Sequence, residues 1–246
     1  MSDIPPKIEG EPPRRISELK LFLFALATAA AIANGYYVHP LITPVADEFG
    51  VSGTLVGLVP ALNQIALALG ILLLLPLGDR VNNRVLVTIF VVGQFVAMLA
   101  MALSDSFFIF AAASSLLGFF TIIPYLLPAY VTQRVQPGRI GHVTGIMAAG
   151  VTLGILGSRV GAGMLGHYFG WRTAYWVGVA LTALLVFLLP TIMDRKSEEP
   201  EKKEKPPSYR ELLGSLWPMI KAYPEVTLGG FMQAISFGLF LALWLG

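Results

Sequence analysis

The chain has 246 residues, of which 55% are hydrophobic and 13% are charged, and its formal net charge is +2. A soluble domain of this length cannot bury so much apolar surface, so the composition predicts a membrane protein. The small net charge argues against nucleic acid as a partner. The sequence contains no cysteine, which excludes disulfides and thiolate chemistry, and its three histidines lack metal-ligand spacing. We therefore expect neither a metal nor a cofactor.

Residues 1–19 are polar and rich in proline, and they predict a cytoplasmic tail because no signal-peptide core or cleavage site follows. Seven windows come next that are free of Asp, Glu, Lys and Arg, apart from Arg159. Each is close to the ~20 helical residues that cross a ~30 Å hydrocarbon core. They cover 21–41, 55–78, 85–104, 107–132, 140–165, 173–193 and 226–246. No β-barrel alternation competes, so the sequence predicts an all-α polytopic membrane protein.

The windows divide the chain into a six-helix domain at 20–193, a charged linker at 194–225 and a seventh helix at 226–246. The second part of the linker, "ELLGSLWPMIKAY", predicts a short amphipathic helix on the membrane surface. With the N-terminus inside, 15 of the 17 Lys and Arg residues lie on the cytoplasmic side. The positive-inside rule therefore predicts a cytoplasmic N-terminus.

An internal repeat emerges when the chain is compared with itself at an offset of 88 residues. The offset pairs Tyr37 with Tyr125, Pro40 with Pro128, Leu77 with Leu165, Gly78 with Gly166 and Arg84 with Arg172. Three spans form an odd number, so two such units enter the membrane from opposite sides, as in inverted-repeat transporters. Chance similarity in a chain rich in Leu, Gly and Ala is the alternative.

A charged turn, "LGDRVNNR", separates the second and third windows and carries Asp79, Arg80 and Arg84. It resembles the loop 2–3 signature of the major facilitator superfamily, written G-x-L-a-D-R-x-G-R-R. Leu75 replaces the first glycine of that signature and Asn82 replaces the second. Because asparagine tolerates a left-handed backbone conformation, we expect the turn to survive.

The stretches "NGYYVHPL", "GIMAAGVTLGILGS" and "SFGLFLALW" in spans 1, 5 and 7 resemble the bacterial drug:proton antiporter branch of that superfamily, although span 5 lacks the usual Gly-Pro pair. The resemblance implies a six-helix bundle of two inverted three-helix repeats plus a seventh helix. It implies an efflux permease for small molecules that works by alternating access in a bacterial cytoplasmic membrane. Members have twelve spans, so the chain is expected to be truncated.

The resemblance also implies that the charged turn is a gating latch. The Asp79 carboxylate would face the positive end of a neighbouring helix, and Arg80 and Arg84 would pair with it or with lipid headgroups. The alternative is that these charges only anchor a short loop at the membrane surface.

Span 5 carries a stripe of glycines that predicts close helix packing: Gly150, Gly154, Gly157 and Gly161. In the family, this face meets the opposite half of the transporter. Arg159 projects from another side of the same span. A charged residue in a span costs roughly 2.5–3.5 kcal/mol on insertion scales, so Arg159 either serves a cavity or reaches towards the surface. A cavity position would suit an anionic substrate or a carboxylate.

Other polar side chains in the spans are candidates for lining a substrate cavity, with helix packing as the alternative for each: Asn34, Tyr37, Asn63, Gln64, Thr121, Tyr125 and Gln233. Protons are the coupling ion that the resemblance suggests. The windows nevertheless contain no acidic residue, and Ser114 occupies the place of the arginine found in span 4 of many relatives.

Two other classes compete with the transporter hypothesis. One is a half-size transporter that assembles as a homo-oligomer, and the other is a seven-helix receptor-type membrane protein. A receptor would normally have its N-terminus outside, and a retinal protein would need a lysine in span 7. An enzyme is not predicted, because no Gly-x-Ser-x-Gly motif or paired intramembrane aspartates occur in the sequence.

Overall fold

The computed structural model describes residues 16–194 and 208–245. Within these residues the chain forms ten α-helices and no strands: α1 Glu18–Ala33, α2 Ile42–Phe49, α3 Gly53–Leu74, α4 Asn83–Leu103, α5 Phe107–Phe120, α6 Ile123–Thr132, α7 Ile140–Phe169, α8 Trp171–Ile192, α9 Tyr209–Ala222 and α10 Pro224–Leu245. Short 3₁₀ helices lie at Asn34–Tyr36, His39–Leu41, Leu75–Asp79 and Pro137–Arg139. The all-α prediction is confirmed.

Six helical segments in the described residues are long and apolar enough to cross a membrane, and we number them spans 1 to 6: Glu18–Phe49, Gly53–Gly78, Asn83–Leu103, Phe107–Thr132, Pro137–Phe169 and Trp171–Ile192. They match the first six predicted windows. The chain is therefore an integral membrane protein.

The first predicted window, 21–41, ends too early, because the helical segment continues through Pro40 and Pro44 to Phe49. Pro44 lies in the first turn of α2, where the missing backbone N–H has no intrahelical partner to lose. The span ends instead at Gly50, which has a φ of +61° and whose N–H donates to carbonyls of the last turn.

Span 1 and span 4 are both interrupted near their middles. Span 1 passes from α1 to α2 through the 3₁₀ turns at 34–41, and span 4 passes from α5 to α6 at Thr121 and Ile122. Asn34 and Ile122 are separated by the repeat offset of 88. The two breaks therefore occupy equivalent positions of the two helix triplets.

Helix packing follows the same inverted repeat. The most extensive contacts join α1 to α7, α3 to α5 and α4 to α8. Exchanging spans 1–3 for spans 4–6 maps the first two of these contacts onto each other and the third onto itself. The packing thus has the pseudo-two-fold symmetry that the weak sequence repeat predicted.

At each break, a side-chain hydrogen bond joins the interrupted span to the third helix of the other triplet. Gln94 of span 3 donates from Nε2 to Thr121 Oγ1 at 2.9 Å. Asn34 donates from Nδ2 to Thr182 Oγ1 of span 6, also at 2.9 Å. Gln94 and Thr182 are again 88 residues apart.

After the six spans, α9 forms where the amphipathic helix was predicted. Ser208 and Glu211 bond reciprocally at its start, as in a capping box. The Tyr209 hydroxyl donates to the Leu73 carbonyl at 2.8 Å, which ties α9 to the end of span 2. Helix α10 lies where the seventh span was predicted and contacts α9. Residues 195–207 fall outside the described part, so the domain boundaries stay a prediction.

Candidate substrate site

The break in span 1 has a local cause in the sequence "NGYYVHPL". Gly35 lowers helix propensity, and Pro40 lacks a backbone N–H and disfavours a helical conformation at His39. The segment therefore forms two 3₁₀ turns instead of a continuous helix. Spans 2, 4 and 5 all contact this segment, so the break lies at the centre of the bundle.

A cluster of three side chains lies at the break: Tyr36, His39 and Arg159. Their exposed fractions are 4%, 8% and 6%, so all three are buried. The Tyr36 and His39 rings stack with centroids 5.3 Å apart. The Arg159 guanidinium carbon lies 5.7 Å from the Tyr36 ring centroid, and Arg159 is close enough to His39 to interact electrostatically. We call this group the Arg159 cluster.

Tyr125 connects the Arg159 cluster to the break in span 4. It is the third residue of α6 and interacts electrostatically with Tyr36. Its side chain is 40% exposed, unlike those of the buried cluster. Two predicted cavity residues from different spans, Arg159 and Tyr125, therefore both lie near Tyr36.

The remaining predicted cavity residues are placed differently. Asn34 bonds span 6, Asn63 donates to the Ser114 carbonyl at 2.6 Å, and Thr121 accepts from Gln94. These three bonds are the packing contacts that the sequence left as the alternative. Tyr37 packs edge-on against Tyr175 of span 6.

Gln64 is half-buried on span 2, and Gln233 is exposed on α10. The sequence patterns do not single out Tyr36, His39 and Gln94. The available signal was the Gly35–Pro40 interruption together with the offset of 88, which marks both breaks.

The span 5 glycines meet different surroundings. A Cβ on Gly150 would lie 2.6 Å from the Ala25 carbonyl oxygen, and one on Gly154 would overlap Ala29. Among the described residues, a Cβ on Gly157 or Gly161 would meet nothing within 4 Å, so close packing of these two stays a prediction. Beyond its break, span 1 meets α7 at other positions, such as Gly163 and Gly166.

At the 77–84 turn, Asn82 does not adopt the left-handed conformation that asparagine tolerates. Asn82 has a φ of −57° and caps α4, its Oδ1 accepting from the N–H groups of Arg84 at 2.8 Å and Val85 at 3.3 Å. Arg80 is exposed and Arg84 is half-buried. The side chain of Asp79 lies outside the described part of the structure, so its latch role stays a prediction.

The equivalent turn, 165–172, fastens the bundle at its opposite end. Arg172 pairs with Glu48 at the end of span 1 and donates to the Ser104 carbonyl at the end of span 3. Trp171 donates to the same glutamate, and the Arg172 guanidinium lies 4.3 Å from its ring centroid. We call these four residues the Arg172 cluster.

A second charged group, the Arg134 cluster, lies at the end of the bundle that carries the 77–84 turn. Arg134 Nε and Asp194 Oδ2 are 2.8 Å apart, which joins the ends of spans 4 and 6. The Tyr130 ring lies 3.7 Å from the guanidinium, and its hydroxyl accepts from the Asp194 N–H at 2.8 Å. Both charged clusters join the first and third helices of a triplet.

An apolar groove of about 540 Å³ runs between spans 1, 5 and 6. Leucine and alanine side chains form its walls, and Gly154, Gly157 and Gly161 contribute to its lining. It lacks the charged and aromatic groups of the Arg159 cluster. The groove suits contact with hydrocarbon better than recognition of a polar molecule.

Comparison with known proteins agrees with this architecture. The family model described as Major Facilitator Superfamily matches residues 24–246. The chain belongs to the Major Facilitator Superfamily. Among its relatives, the putative uncharacterized transporter YgaY of Escherichia coli K12 is 30% identical over 234 residues, covering 95% of this chain and 58% of that protein.

Two further relatives of the Major Facilitator Superfamily chain carry informative names. The probable transporter SCO4007 of Streptomyces coelicolor is 29% identical over 228 residues, or 93% of this chain and 52% of that protein. The multidrug resistance protein MdtG of Citrobacter koseri is 26% identical over 140 residues, which cover 57% of this chain and 34% of that protein. The chain thus spans somewhat more than half the length of YgaY and SCO4007.

Proposed function

We propose that the protein is a secondary transporter that moves a small molecule across the membrane by alternating access. The observation that carries this proposal is the pair of breaks in spans 1 and 4 at equivalent positions of an inverted repeat. Transporters built from such repeats hold substrates where corresponding helices are interrupted, near the repeat interface. The Arg159 cluster and Tyr125 place charged and aromatic groups at these breaks.

The breaks also give the bundle points at which it can bend. A helix that changes to 3₁₀ geometry loses part of its regular hydrogen bonding there, so bending costs less than in a continuous helix. The Gln94–Thr121 and Asn34–Thr182 bonds limit that bending from the neighbouring spans.

Single-cysteine labelling tests alternating access, since the natural sequence contains no cysteine. Tyr125→Cys places a thiol at the break in span 4, and a membrane-impermeant maleimide is applied to right-side-out and to everted vesicles. We expect labelling from both sides. The bundle must then expose this position to each side in turn.

Two matched variants control the labelling. Tyr168→Cys, on an exposed residue near the 165–172 turn, should label from one side. Phe187→Cys, on the exposed lipid-facing surface of α8, should label from neither. Labelling of Tyr125→Cys from a single side under all conditions contradicts alternating access.

The 77–84 turn is our candidate gate within this cycle. Asp79→Asn removes the carboxylate charge while keeping its shape, and it should slow the exchange of Tyr125→Cys between the two accessible states. If the variant that combines Asp79→Asn with Tyr125→Cys is labelled from both sides at unchanged rates, the 77–84 turn only anchors the loop and does not act as a gate.

We further propose export from a bacterial cytoplasmic membrane, with the N-terminus on the cytoplasmic side. The name of the multidrug resistance relative supports export, and the distribution of Lys and Arg supports the orientation. Protons are the proposed coupling ion. Pump-deficient bacteria that produce the protein should accumulate less of at least one dye in a mixed anionic and cationic panel, and a protonophore should abolish the difference.

A further inference from the structure

The Arg159 cluster combines features that recognise a negatively charged group. The arginine keeps its charge in any ordinary protein environment, and its planar guanidinium suits a carboxylate through two parallel hydrogen bonds. Its side chain is buried at the centre of the bundle, where a cation is costly. The cation–π contact with Tyr36 offsets part of that cost.

His39 supplies a second, independent observation. Both ring nitrogens are buried, and neither has a hydrogen-bond partner among the described residues. Buried polar atoms are almost always bonded, so such an exception in a site calls for an explanation. An imidazole beside a guanidinium can donate to the same anion.

The surroundings of these groups are aromatic. Tyr36 stacks on His39, and the partly exposed ring of Tyr125 lies on the side of span 4. Flat apolar groups pack favourably against such rings. Tyr125 also belongs to the first turn of α6, and a helix N-terminus carries a partial positive charge.

We propose that the substrate site takes small organic carboxylates that carry an aromatic body. This inference rests on the proposed function and names the substrate class of the same site. The carboxylate contacts Arg159 and His39, and the aromatic body lies against Tyr36 and Tyr125. Cationic aromatic compounds are excluded, because they would meet the guanidinium.

Equilibrium binding tests the proposal without any requirement for transport. The whole chain is placed in nanodiscs of neutral lipid, and binding of labelled benzoate, 2-naphthoate and indole-3-acetate is compared with that of their amides. We expect at least one acid to bind about tenfold or more tightly than its amide, since a charge-assisted hydrogen bond distinguishes them. Equal binding of every acid and its amide overturns the proposal.

Variants connect the preference to the site. Arg159→Gln should remove the acid preference and leave amide binding unchanged, while Arg159→Lys should retain part of it. His39→Gln should weaken acid binding a few-fold. Lys221→Gln, which removes a cation from α9, should change nothing. An acid preference that survives Arg159→Gln in a folded sample, as judged by its melting temperature, contradicts the assignment.

The two proposals fail separately. If Tyr125→Cys labels from both sides but no acid is preferred, the substrate class is wrong and alternating access stands. If acids bind through Arg159 but Tyr125→Cys labels from one side, the chain binds carboxylates without transporting them.

Discussion

The 77–84 and 165–172 turns occupy equivalent positions in the repeat, yet they hold their arginines differently. Arg172 contacts Glu48, the Ser104 carbonyl and the Trp171 ring, all within the six-span bundle. Among the described side chains, neither Arg80 nor Arg84 forms a salt bridge. The 165–172 turn therefore fastens the bundle to itself. The described side chains show no such ion pair at the 77–84 turn, whose gating role stays a proposal.

The largest test of this comparison concerns the helix interfaces that the repeat makes equivalent. A Cβ on Gly118 of span 4 would overlap the Asn63 backbone of span 2, as one on Gly154 of span 5 would overlap span 1. Gly118→Val and Gly154→Val should each lower the free energy of unfolding by about 3 kcal/mol. Gly157→Val, which faces open space, is the control. Thermal melting in detergent measures the stability of all three variants. If Gly118→Val or Gly154→Val left the stability unchanged, the two helix interfaces would not be equivalent.

The second test compares the two charged clusters. The Arg134 side chain is almost fully buried and that of Asp194 is partly exposed, so Arg134→Gln should cost about 2 kcal/mol. Arg172 and Glu48 are more exposed, and Arg172→Gln should cost about 1 kcal/mol or less. Melting temperatures at low and high salt give both values. A larger loss of stability in Arg172→Gln than in Arg134→Gln would mean that the 165–172 turn stabilises the bundle more than the Arg134 cluster does.

A third, smaller effect is expected at the breaks. Gln94→Met removes the buried bonds to Thr121 and to the Ala31 carbonyl. Thr182→Val removes those with Asn34 and the Gly178 carbonyl. Side-chain bonds between membrane helices contribute about 0.6 kcal/mol each on average. Both variants should lower stability by similar small amounts and increase two-sided labelling of Tyr125→Cys. Opposite changes in the two variants would show that the breaks act independently.

The smallest effect concerns α9, which contacts the 77–84 end and, within the described residues, has no counterpart at the 165–172 turn. The backbone N–H of Ser208 holds the pKa of the Glu211 carboxyl below its usual value of about 4.3. A lowered pKa in the folded state stabilises the cap above pH ~4.3, and this contribution is lost as the pH falls further. The Ser208 amide resonance in a ¹⁵N-serine sample should titrate in that window, and Glu211→Gln should abolish the titration.

Much of the fold was predictable because charge-free windows of helical length leave few alternatives in a bilayer. The continuation of span 1 to Phe49 was not, because Pro40 and Pro44 favoured an earlier end, whereas a 3₁₀ turn and the first turn of α2 accommodate them. The glycine stripe was predictable as a contact only for Gly150 and Gly154, which pack against α1. Helical spacing on α7 alone does not show that span 1 is interrupted at 34–41.

The candidate site was predictable only in part. Arg159 stood out as a lone charge in a span, whereas His39 is one isolated histidine and gave no spacing to read. The choice of Tyr37 over Tyr36 shows the limit of helical geometry, since the 3₁₀ turns send neighbouring rings to different partners. The Asn34–Thr182 bond joins residues 148 positions apart, and single-sequence patterns do not pair such distant groups.

That separation also orders the events of biosynthesis. At about 5–20 residues per second, Thr182 leaves the ribosome roughly 7 to 30 s after Asn34. Arg172 is likewise synthesised 124 positions after its partner Glu48. A newly inserted span 1 thus spends many seconds beside lipid or insertion machinery with a polar amide and a carboxylate unmatched. The bundle closes late, when its sixth helix arrives, and a ribosome stalled before that point leaves an exposed target for membrane quality control.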